Sequence, residues 1–164
     1  MHTIDLINPE EYDFTITRLR VFFRDRAFVE VPVQHRLSIL AACEDPRTIG
    51  VFSYAGALWP LPQTGQMWLE YELLTKPEAA GFYCISTSYR NEPNPIVGRH
   101  NLIFPMFEFE TRGDINRLEQ LEYQLLEFLG FGPVKNYAGG EYLTIAQNFS
   151  VEELTAEHEI RIWE

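Results

Sequence analysis

The stretch from Gly81 to Arg112 carries the residue types best suited to chemistry. It consists of two strand-like runs that flank a loop rich in proline and glycine, which are residues that break regular structure. The stretch therefore predicts a long β-hairpin. Because side chains alternate along a strand, Arg90 and Glu92 are expected on one face of the first strand.

The returning strand adds three side chains at even spacing, His100, Phe104 and Glu108, which are expected to share a face. Phe107 and Phe109 take the opposite face, as a strand with a buried back requires. A guanidinium, an imidazole, an aromatic ring and two carboxylates therefore converge on one surface. Taken singly, each is more often a surface charge, a core ring or a loop residue. The combination indicates a binding site.

The chemistry of this set suits a nucleotide bound to a sheet. Arg90 offers a planar fork of donors to phosphate or carboxylate. Glu92 can only accept hydrogen bonds when ionised and can take an exocyclic amine, while Phe104 offers a flat surface on which a purine can stack. His100 can reach a terminal phosphate, and Glu108 can hold an ammonium group.

Composition limits the class of protein. The chain has 164 residues, of which 46% are hydrophobic, so one domain with a real core is expected over residues 1–164. Its net charge of −11 repels a polyanion and disfavours nucleic-acid binding by bulk electrostatics. No leader peptide or membrane span is indicated, so a soluble, cytoplasmic protein is expected. Cys43 and Cys84 lack a CxxC spacing, which predicts free buried thiols and no metal site.

The local pattern predicts an α+β fold, with an antiparallel sheet flanked by helices. Asn8 to Glu11 opens a helix whose inner face holds Tyr12, Ile16, Leu19 and Phe23. The other expected elements are a strand at 28–31 before Pro32, a loop that could include a short helix at 36–49, strands at 51–54 and 57–61, a helix at 65–76 with Met67, Tyr71 and Leu74 on one face, a helix from Asp114 to Gly130, and short helices at 141–147 and 154–163.

The hairpin resembles motif 2 of the class II aminoacyl-tRNA synthetases, which has the form FRxE, loop, (H/R)xxxFxxx(D/E). The matching residues are Tyr89 to Glu92, followed by His100, Phe104 and Glu108, and Tyr89 replaces the usual phenylalanine. Within class II, the residues TGQMWLE at 64–70 resemble the SGQLYLE of asparaginyl enzymes. Ala42-Cys43-Glu44 resembles their DCEG loop, and the segment from Val151 resembles the one between their motifs.

The resemblance implies a role for each matching residue. Arg90 would bridge the ATP α-phosphate and the amino-acid carboxylate, and His100 would contact the outer phosphates. Glu92 and Phe104 would hold adenine. The residues that would surround the α-ammonium group of the amino acid are Glu44, Gln66 and Glu108. Arg90 is the residue to which the resemblance gives a catalytic role.

Two further matches bear on specificity and assembly. Leu69 stands where aspartyl enzymes carry a lysine that binds the substrate carboxylate, which favours a resemblance to asparaginyl enzymes or to the related tRNA-independent asparagine synthetases. Pro32 and the helix before it resemble motif 1, which forms a dimer interface in the family. A homodimer is therefore expected, with Pro32 and an exposed Phe22 at its interface.

The resemblance covers only the first part of the family's catalytic domain, so the synthetase-like fold is expected to be incomplete. A motif 3, the acids that hold Mg²⁺ and an anticodon-binding domain are not found in the sequence. Three functions fit these features. One is ATP-dependent activation of aspartate or asparagine by a synthetase-like core that is either truncated or completed by another chain, with tRNA as a possible partner that the charge does not support. Another is a tRNA-independent ligase of the asparagine synthetase kind. The third is a non-catalytic paralogue that binds nucleotide or only keeps the fold.

Overall fold

The computed structural model describes residues 6–33, 46–96 and 101–132. The chain divides into two compact units, Met1–Arg112 and Gly113–Glu164, and each is described by itself. The expected single domain over residues 1–164 stays a prediction. The elements of the described residues are α1 (Pro9–Arg24), β1 (Val29–Glu30), β2 (Val51–Tyr54), β3 (Ala57–Pro60), α2 (Gln66–Thr75), β4 (Gly81–Tyr89), β5 (Ile103–Thr111) and α3 (Ile115–Leu129).

Helix α1 begins as the sequence predicts. The Asn8 side chain accepts hydrogen bonds from the backbone N–H groups of Glu10 and Glu11, at 2.9 and 3.2 Å. These bonds satisfy donors that a helix leaves without intrahelical partners in its first turn. Ile16 and Phe23 are buried and Leu19 is partly buried, as predicted, whereas the placement of Tyr12 on the inner face is wrong because its side chain is exposed in the first turn of the helix.

A three-stranded sheet forms the centre of the first unit, with strand order β1-β4-β5. Strands β4 and β5 pair antiparallel from Gly81 opposite Thr111 to Tyr89 opposite Ile103, so the predicted hairpin is confirmed. Strand β1 pairs parallel with β4. The sheet is therefore mixed, because the connection from β1 to β4 is long enough to return the chain in the same direction.

One face of this sheet packs against α1 through aromatic rings. The ring of Phe23 lies with its centroid 5.7 Å from that of Tyr83, 5.2 Å from Phe107 and 4.8 Å from Phe109. Phe28 adds an edge-on contact with Phe23 at 5.1 Å. The predicted placement of Phe107 and Phe109 on the back of the hairpin is confirmed.

The other face packs against α2 along part of its length. The buried cluster there comprises Leu69, Leu73, Phe82 and Cys84. The predicted inner face of α2 is wrong, since Tyr71 and Leu74 are 53% and 73% exposed. Apolar residues lie on all sides of this helix, so its periodicity does not identify the buried face.

The expected exposure of Phe22 is also wrong. Its side chain is fully buried, packs edge-on against Phe23, and is covered by the Arg26 guanidinium at 3.6 Å from the ring centroid. In this conformation Phe22 has no surface to offer to a second subunit. Pro32, the other residue expected at a dimer interface, is exposed.

Strands β2 and β3 form a separate two-stranded antiparallel sheet, as the sequence predicts. Ala55 and Gly56 turn the chain between them with φ angles of 52° and 79°. Such left-handed conformations are what two-residue hairpin turns require. Residues 46–50 form a turn and irregular backbone, in agreement with the loop predicted at 36–49. The earlier part of that prediction, residues 36–45, lies outside the described residues.

In the second unit, α3 has the predicted ends. The Asp114 side chain accepts a hydrogen bond from the backbone N–H of Arg117 at 3.0 Å, and Gly130 ends the helix in a left-handed conformation with φ 98°. The helices expected at 141–147 and 154–163 lie outside the described residues. Among the described residues, none of the helices has the length and apolar character needed to cross a bilayer.

Candidate functional site

The candidate site lies on the face of the β4–β5 hairpin opposite α1. The register places Ser88 opposite Phe104, Ser86 opposite Met106 and Cys84 opposite Glu108. These residues therefore share one face, and this part of the sequence prediction is confirmed. Phe104 and Glu108 are separated by four residues on one strand, which corresponds to about 13 Å at the usual strand rise.

At one end of this face, Arg90 and Phe104 lie side by side. The guanidinium carbon of Arg90 is 5.8 Å from the centroid of the Phe104 ring, which is within the range of a cation–π contact. Arg90 Nε also donates a hydrogen bond of 3.2 Å to Ser88 Oγ. Ser88 is fully buried, so it fixes the guanidinium from below. The arrangement presents a cation and an aromatic ring side by side.

The prediction that Arg90 and Glu92 lie within the first strand is wrong, because β4 ends at Tyr89. Arg90 extends the ladder by one bond, from its N–H to Leu102 O at 2.7 Å. The next N–H, that of Asn91, instead donates to Thr48 O at 2.8 Å and draws the chain away from β5. Glu92 therefore lies in a loop, where it is partly buried.

At the other end of the face, the Glu108 carboxylate is held by groups from two other segments. Gly65 N–H donates to Glu108 Oε1 at 3.0 Å and to Oε2 at 2.8 Å. The Thr64 hydroxyl donates to Oε1, and the Ser86 hydroxyl donates to Oε2. The carboxylate thus joins the turn before α2 to the middle of β4.

A cavity of about 210 Å³ opens beside this carboxylate. Its lining contains the carboxylates of Glu108 and Glu110 and the amide of Gln66, so its polar chemistry favours a cationic group such as an ammonium. The complete lining is Thr64, Gln66, Leu69, Phe107, Glu108, Phe109 and Glu110. Burial and the nearby charge of Glu70 raise the pKa of Glu110, while a hydrogen bond from Gln66 partly opposes this.

Cys84 lies on the same face but is not suited to nucleophilic chemistry. Its side chain is 1% exposed, and burial together with the charge of Glu108 raises the pKa of its thiol to about 12. A thiol that stays protonated at neutral pH is a poor nucleophile and a poor metal ligand. The prediction of a free buried thiol is confirmed for Cys84, while Cys43 lies outside the described residues.

The structure brings together two pairs of the residues singled out from the sequence, Arg90 with Phe104 and Gln66 with Glu108. Glu44 and His100 lie outside the described residues. Within the described residues, no group of three or more His, Cys, Asp or Glu side chains is arranged to hold a metal ion. Sequence reasoning missed four residues at the site, which are Thr64, Ser86, Ser88 and Glu110.

Neither protein-family models nor curated protein sequences match this chain. Solved structures do match its fold. Asparaginyl-tRNA synthetase from Pyrococcus horikoshii complexed with asparaginyl-adenylate aligns over 90% of this chain and 39% of its own, with a TM-score of 0.68 and 18% identity. A putative aspartyl-tRNA synthetase from Leishmania major Friedlin aligns over 71% of this chain and 21% of its own, with a TM-score of 0.56 and 18% identity.

Asparaginyl-tRNA synthetase from Entamoeba histolytica in complex with asparaginyl-adenylate aligns over 85% of this chain and 30% of its own, with a TM-score of 0.51 and 20% identity. The chain therefore has a mixed α+β, synthetase-like fold. It spans about two fifths of the length of the Pyrococcus horikoshii enzyme. Sequence identities of 18–20% support similarity of the fold and do not by themselves indicate a shared function.

Proposed function

We propose that this chain binds ATP together with asparagine or aspartate and supports formation of an aminoacyl-adenylate. The observation that carries the proposal is the placement of two complementary groups on one hairpin face. A cation beside an aromatic ring, Arg90 with Phe104, lies at one end. A carboxylate-lined cavity at Gln66 and Glu108 lies at the other. Two structures of the same fold contain asparaginyl-adenylate, which supports this choice of ligand.

The proposed roles follow the chemistry of each group. Phe104 and Glu92 bind the adenine, and Arg90 contacts the α-phosphate and the amino-acid carboxylate. A carboxylate oxygen of the amino acid attacks the α-phosphorus, and the bond to the pyrophosphate oxygen breaks. Arg90 stabilises the negative charge that develops on the phosphate, and its bond to Ser88 reduces reorganisation during the step.

The remaining roles complete the substrate site and the assembly. The α-ammonium group is proposed to bind beside Gln66 at the Glu108 end of the face, with Glu44 as a further acceptor, and His100 is proposed to contact the outer phosphates. Leu69 in place of a lysine favours asparagine over aspartate. Mg²⁺ would accompany ATP through ligands outside the described residues. Pro32 is proposed to contact the second subunit of a homodimer, without a contribution from Phe22.

The direct test is calorimetric titration with a non-hydrolysable sulfamoyl analogue of asparaginyl-adenylate. Arg90→Ala is expected to weaken binding by about 10- to 150-fold, because a hydrogen bond to a charged group contributes about 1.5–3 kcal/mol. The matched control is Arg117→Ala, which removes an exposed arginine of α3. Equal affinity of wild type and Arg90→Ala would show that the phosphate contact is assigned to the wrong residue.

Activity is tested by amino-acid-dependent exchange of pyrophosphate into ATP, run with each amino acid in turn. Stimulation by asparagine above aspartate is expected because of Leu69. Binding of the analogue without exchange would support the non-catalytic nucleotide-binding function. Absence of analogue binding by the wild type would contradict the proposal. It would favour a paralogue that keeps the fold without binding a nucleotide.

A second function, a tRNA-independent amide-forming ligase, is favoured by one observation. The net charge of −11 opposes the approach of a polyanion such as tRNA. Addition of tRNA or of ammonia to an active sample separates the two functions. Transfer of the amino acid to tRNA supports the synthetase, whereas ammonia-dependent formation of asparagine from aspartate supports the ligase.

A further inference from the structure

Most of the hydrogen-bonding capacity of the Glu108 carboxylate is already used within the protein. A carboxylate has about four lone-pair sites. Oxygen Oε1 accepts from the Thr64 hydroxyl and the Gly65 N–H, and Oε2 accepts from the same N–H and the Ser86 hydroxyl. Because both oxygens share one N–H, three donor hydrogens hold the carboxylate, which leaves about one lone-pair site for any further donor.

The bond to Thr64 extends the influence of Glu108 to the start of α2. Thr64 Oγ1 donates its proton to Glu108 and accepts a hydrogen bond from the Gln66 N–H at 3.1 Å. A hydroxyl carries one donor and two lone pairs, so it can serve in both directions. Gln66 is the first residue of α2, and its side chain lines the cavity. The carboxylate, the hydroxyl and the first N–H of the helix thus form one chain of hydrogen bonds.

The fit around Gly65 shows how closely this turn approaches the hairpin. A Cβ atom at position 65 would lie 2.9 Å from Cys84 Sγ and 3.1 Å from Glu108 Oε2. The distance to Cys84 Sγ is shorter than contacts that Cβ atoms make in proteins. Glycine is therefore the residue that can bring its N–H this near to the carboxylate without a shift of the neighbouring atoms. The turn is therefore fixed by shape as well as by hydrogen bonds.

We propose that Glu108 is a positioning residue, which fixes the Thr64–Gln66 turn through Thr64 and Ser86 and so places the Gln66 side chain in the cavity, without contacting the amino-acid ammonium group itself. The proposed function supplies the identity of the ligand. The link between Glu108 and the turn does not depend on it. Thr64 and Ser86 thereby become part of the site, although neither lies in the motif that points to Glu108.

The first measurement follows backbone hydrogen exchange of residues 65–69 in the protein without ligand. Glu108→Gln and Thr64→Val are each expected to speed exchange at these residues about tenfold or more, because each breaks the chain of hydrogen bonds. The double variant is expected to exchange no faster than the faster single variant. Thr64→Ser, which keeps the hydroxyl, is expected to behave as the wild type.

Unchanged exchange in Glu108→Gln would overturn the proposal, as would fully additive effects in the double variant. Glu78→Gln is the matched comparison, since it removes an exposed carboxylate outside the cavity lining and is expected to leave exchange at residues 65–69 unchanged. Circular dichroism of each variant confirms that the fold is retained, and Ser86→Ala provides a smaller change at the same carboxylate.

The second measurement separates positioning from direct contact. If Glu108 acts through the turn, Thr64→Val weakens binding of the sulfamoyl analogue about as much as Glu108→Gln, about tenfold, and the double variant loses no more. If Glu108 binds the ammonium group, Thr64→Val leaves the charge in place and retains affinity, which would overturn the proposal. Should the wild type bind no analogue, the proposed function fails, and the exchange measurement still decides the role of Glu108.

Discussion

The two faces of the β4–β5 hairpin differ in how they use the same two strands. On the α1 side, Tyr83, Phe107 and Phe109 pack around Phe23 with ring centroids within 6 Å of one another or of Phe23. On the opposite side beyond Cys84, the hydroxyls of Ser86 and Ser88 and the carboxylate of Glu108 form hydrogen bonds, and Phe104 is the one aromatic ring contributed by the paired strand residues there. One face therefore supplies stability by excluding water, while the other holds polar groups in fixed positions at a cavity.

This contrast arises because successive side chains of a strand point to opposite faces of the sheet. A shift of one residue would exchange the faces, so the aromatic set and the polar set fix each other's position. The aromatic face needs no particular partner beyond apolar volume. The polar face depends on specific donors, because a buried carboxylate without them is costly. We therefore expect mutations on the aromatic face to change stability most, and mutations on the polar face to change binding.

The largest expected effect is that of Phe23→Ala. Phe23 is fully buried and contacts rings of α1, β4 and β5, so its removal is expected to lower the free energy of unfolding by about 3–5 kcal/mol. Phe14→Ala is the control on the same helix, since Phe14 is 68% exposed and its loss should change stability by about 0.5 kcal/mol or less. Denaturant titration measures both. Equal effects would contradict the assignment of α1's buried face.

Glycine-to-alanine changes test each face by overpacking. A Cβ atom at Gly81 would lie 2.2 Å from the Phe28 ring, so Gly81→Ala must displace a buried aromatic and is expected to cost about 1–3 kcal/mol. Gly65→Ala is expected to cost a similar amount and in addition to weaken analogue binding. Gly50→Ala should change little, because the added Cβ would have its nearest neighbours at ordinary contact distances, Leu61 Cδ1 at 3.4 Å and Asn91 Cβ at 3.8 Å. Weakened binding in Gly81→Ala alone would contradict the division between the faces.

A smaller change in the free energy of unfolding is expected for the ion pair between Glu30 and Arg20, which lies beside the aromatic face. Glu30 accepts two hydrogen bonds from Arg20 Nε and one of 2.8 Å from Arg20 Nη2, which lower the pKa of Glu30. Glu30→Gln is expected to cost about 1 kcal/mol at neutral pH, since both partners remain partly exposed. Because the folded pKa is lowered, this stability is present above about pH 4.5 and is lost as the pH falls through the folded pKa.

The check is denaturant titration of wild type and Glu30→Gln between acid and neutral pH. Their difference should shrink as the pH falls below about 4.5. Glu78→Gln, which removes one exposed carboxylate, is the control for the loss of a single negative charge. A difference that stays constant over this range would exclude the ion pair as its source.

The smallest change in the free energy of unfolding is expected for Glu110→Gln on the polar face. This substitution is expected to stabilise the protein, whereas Glu30→Gln is expected to destabilise it. Burial and the charge of Glu70 raise the pKa of Glu110, so ionised Glu110 destabilises the fold. Stability of the wild type relative to Glu110→Gln should therefore be greatest below about pH 4.5 and should fall as the pH rises through the raised folded pKa. A gain of about 0.5 kcal/mol for Glu110→Gln is expected at neutral pH. A loss of stability would show that the polar face stabilises the fold after all.

Much of the fold could be predicted because its signals are local. Asn8, Asp114 and Gly130 mark helix ends through their own hydrogen-bonding or backbone conformation, and alternation sorted the two faces of the hairpin. The buried face of α2 could not be read from period because its apolar residues surround the helix. The burial of Phe22 depends on packing around Phe23 and Arg26, which spacing along α1 alone does not specify.

The site was predicted in part for a similar reason. Arg90, Phe104 and Glu108 carry distinctive side chains in a recognisable order. Thr64 and Ser86 are ordinary hydroxyl residues, 44 and 22 positions from Glu108, and their role arises only from the register that brings them to it. Glu110 could have been found, because it follows Glu108 at the two-residue spacing of the same face.

The buried thiol of Cys84 can be used to measure how often α2 uncovers this face of the sheet. With a pKa of about 12 and 1% exposure, it should resist alkylation at neutral pH for as long as α2 covers the sheet. In a Cys43→Ser background, the rate at which iodoacetamide labels Cys84 therefore measures how often the α2 side of the hairpin is uncovered. A ligand that binds on this face should slow that labelling, even where it undergoes no reaction.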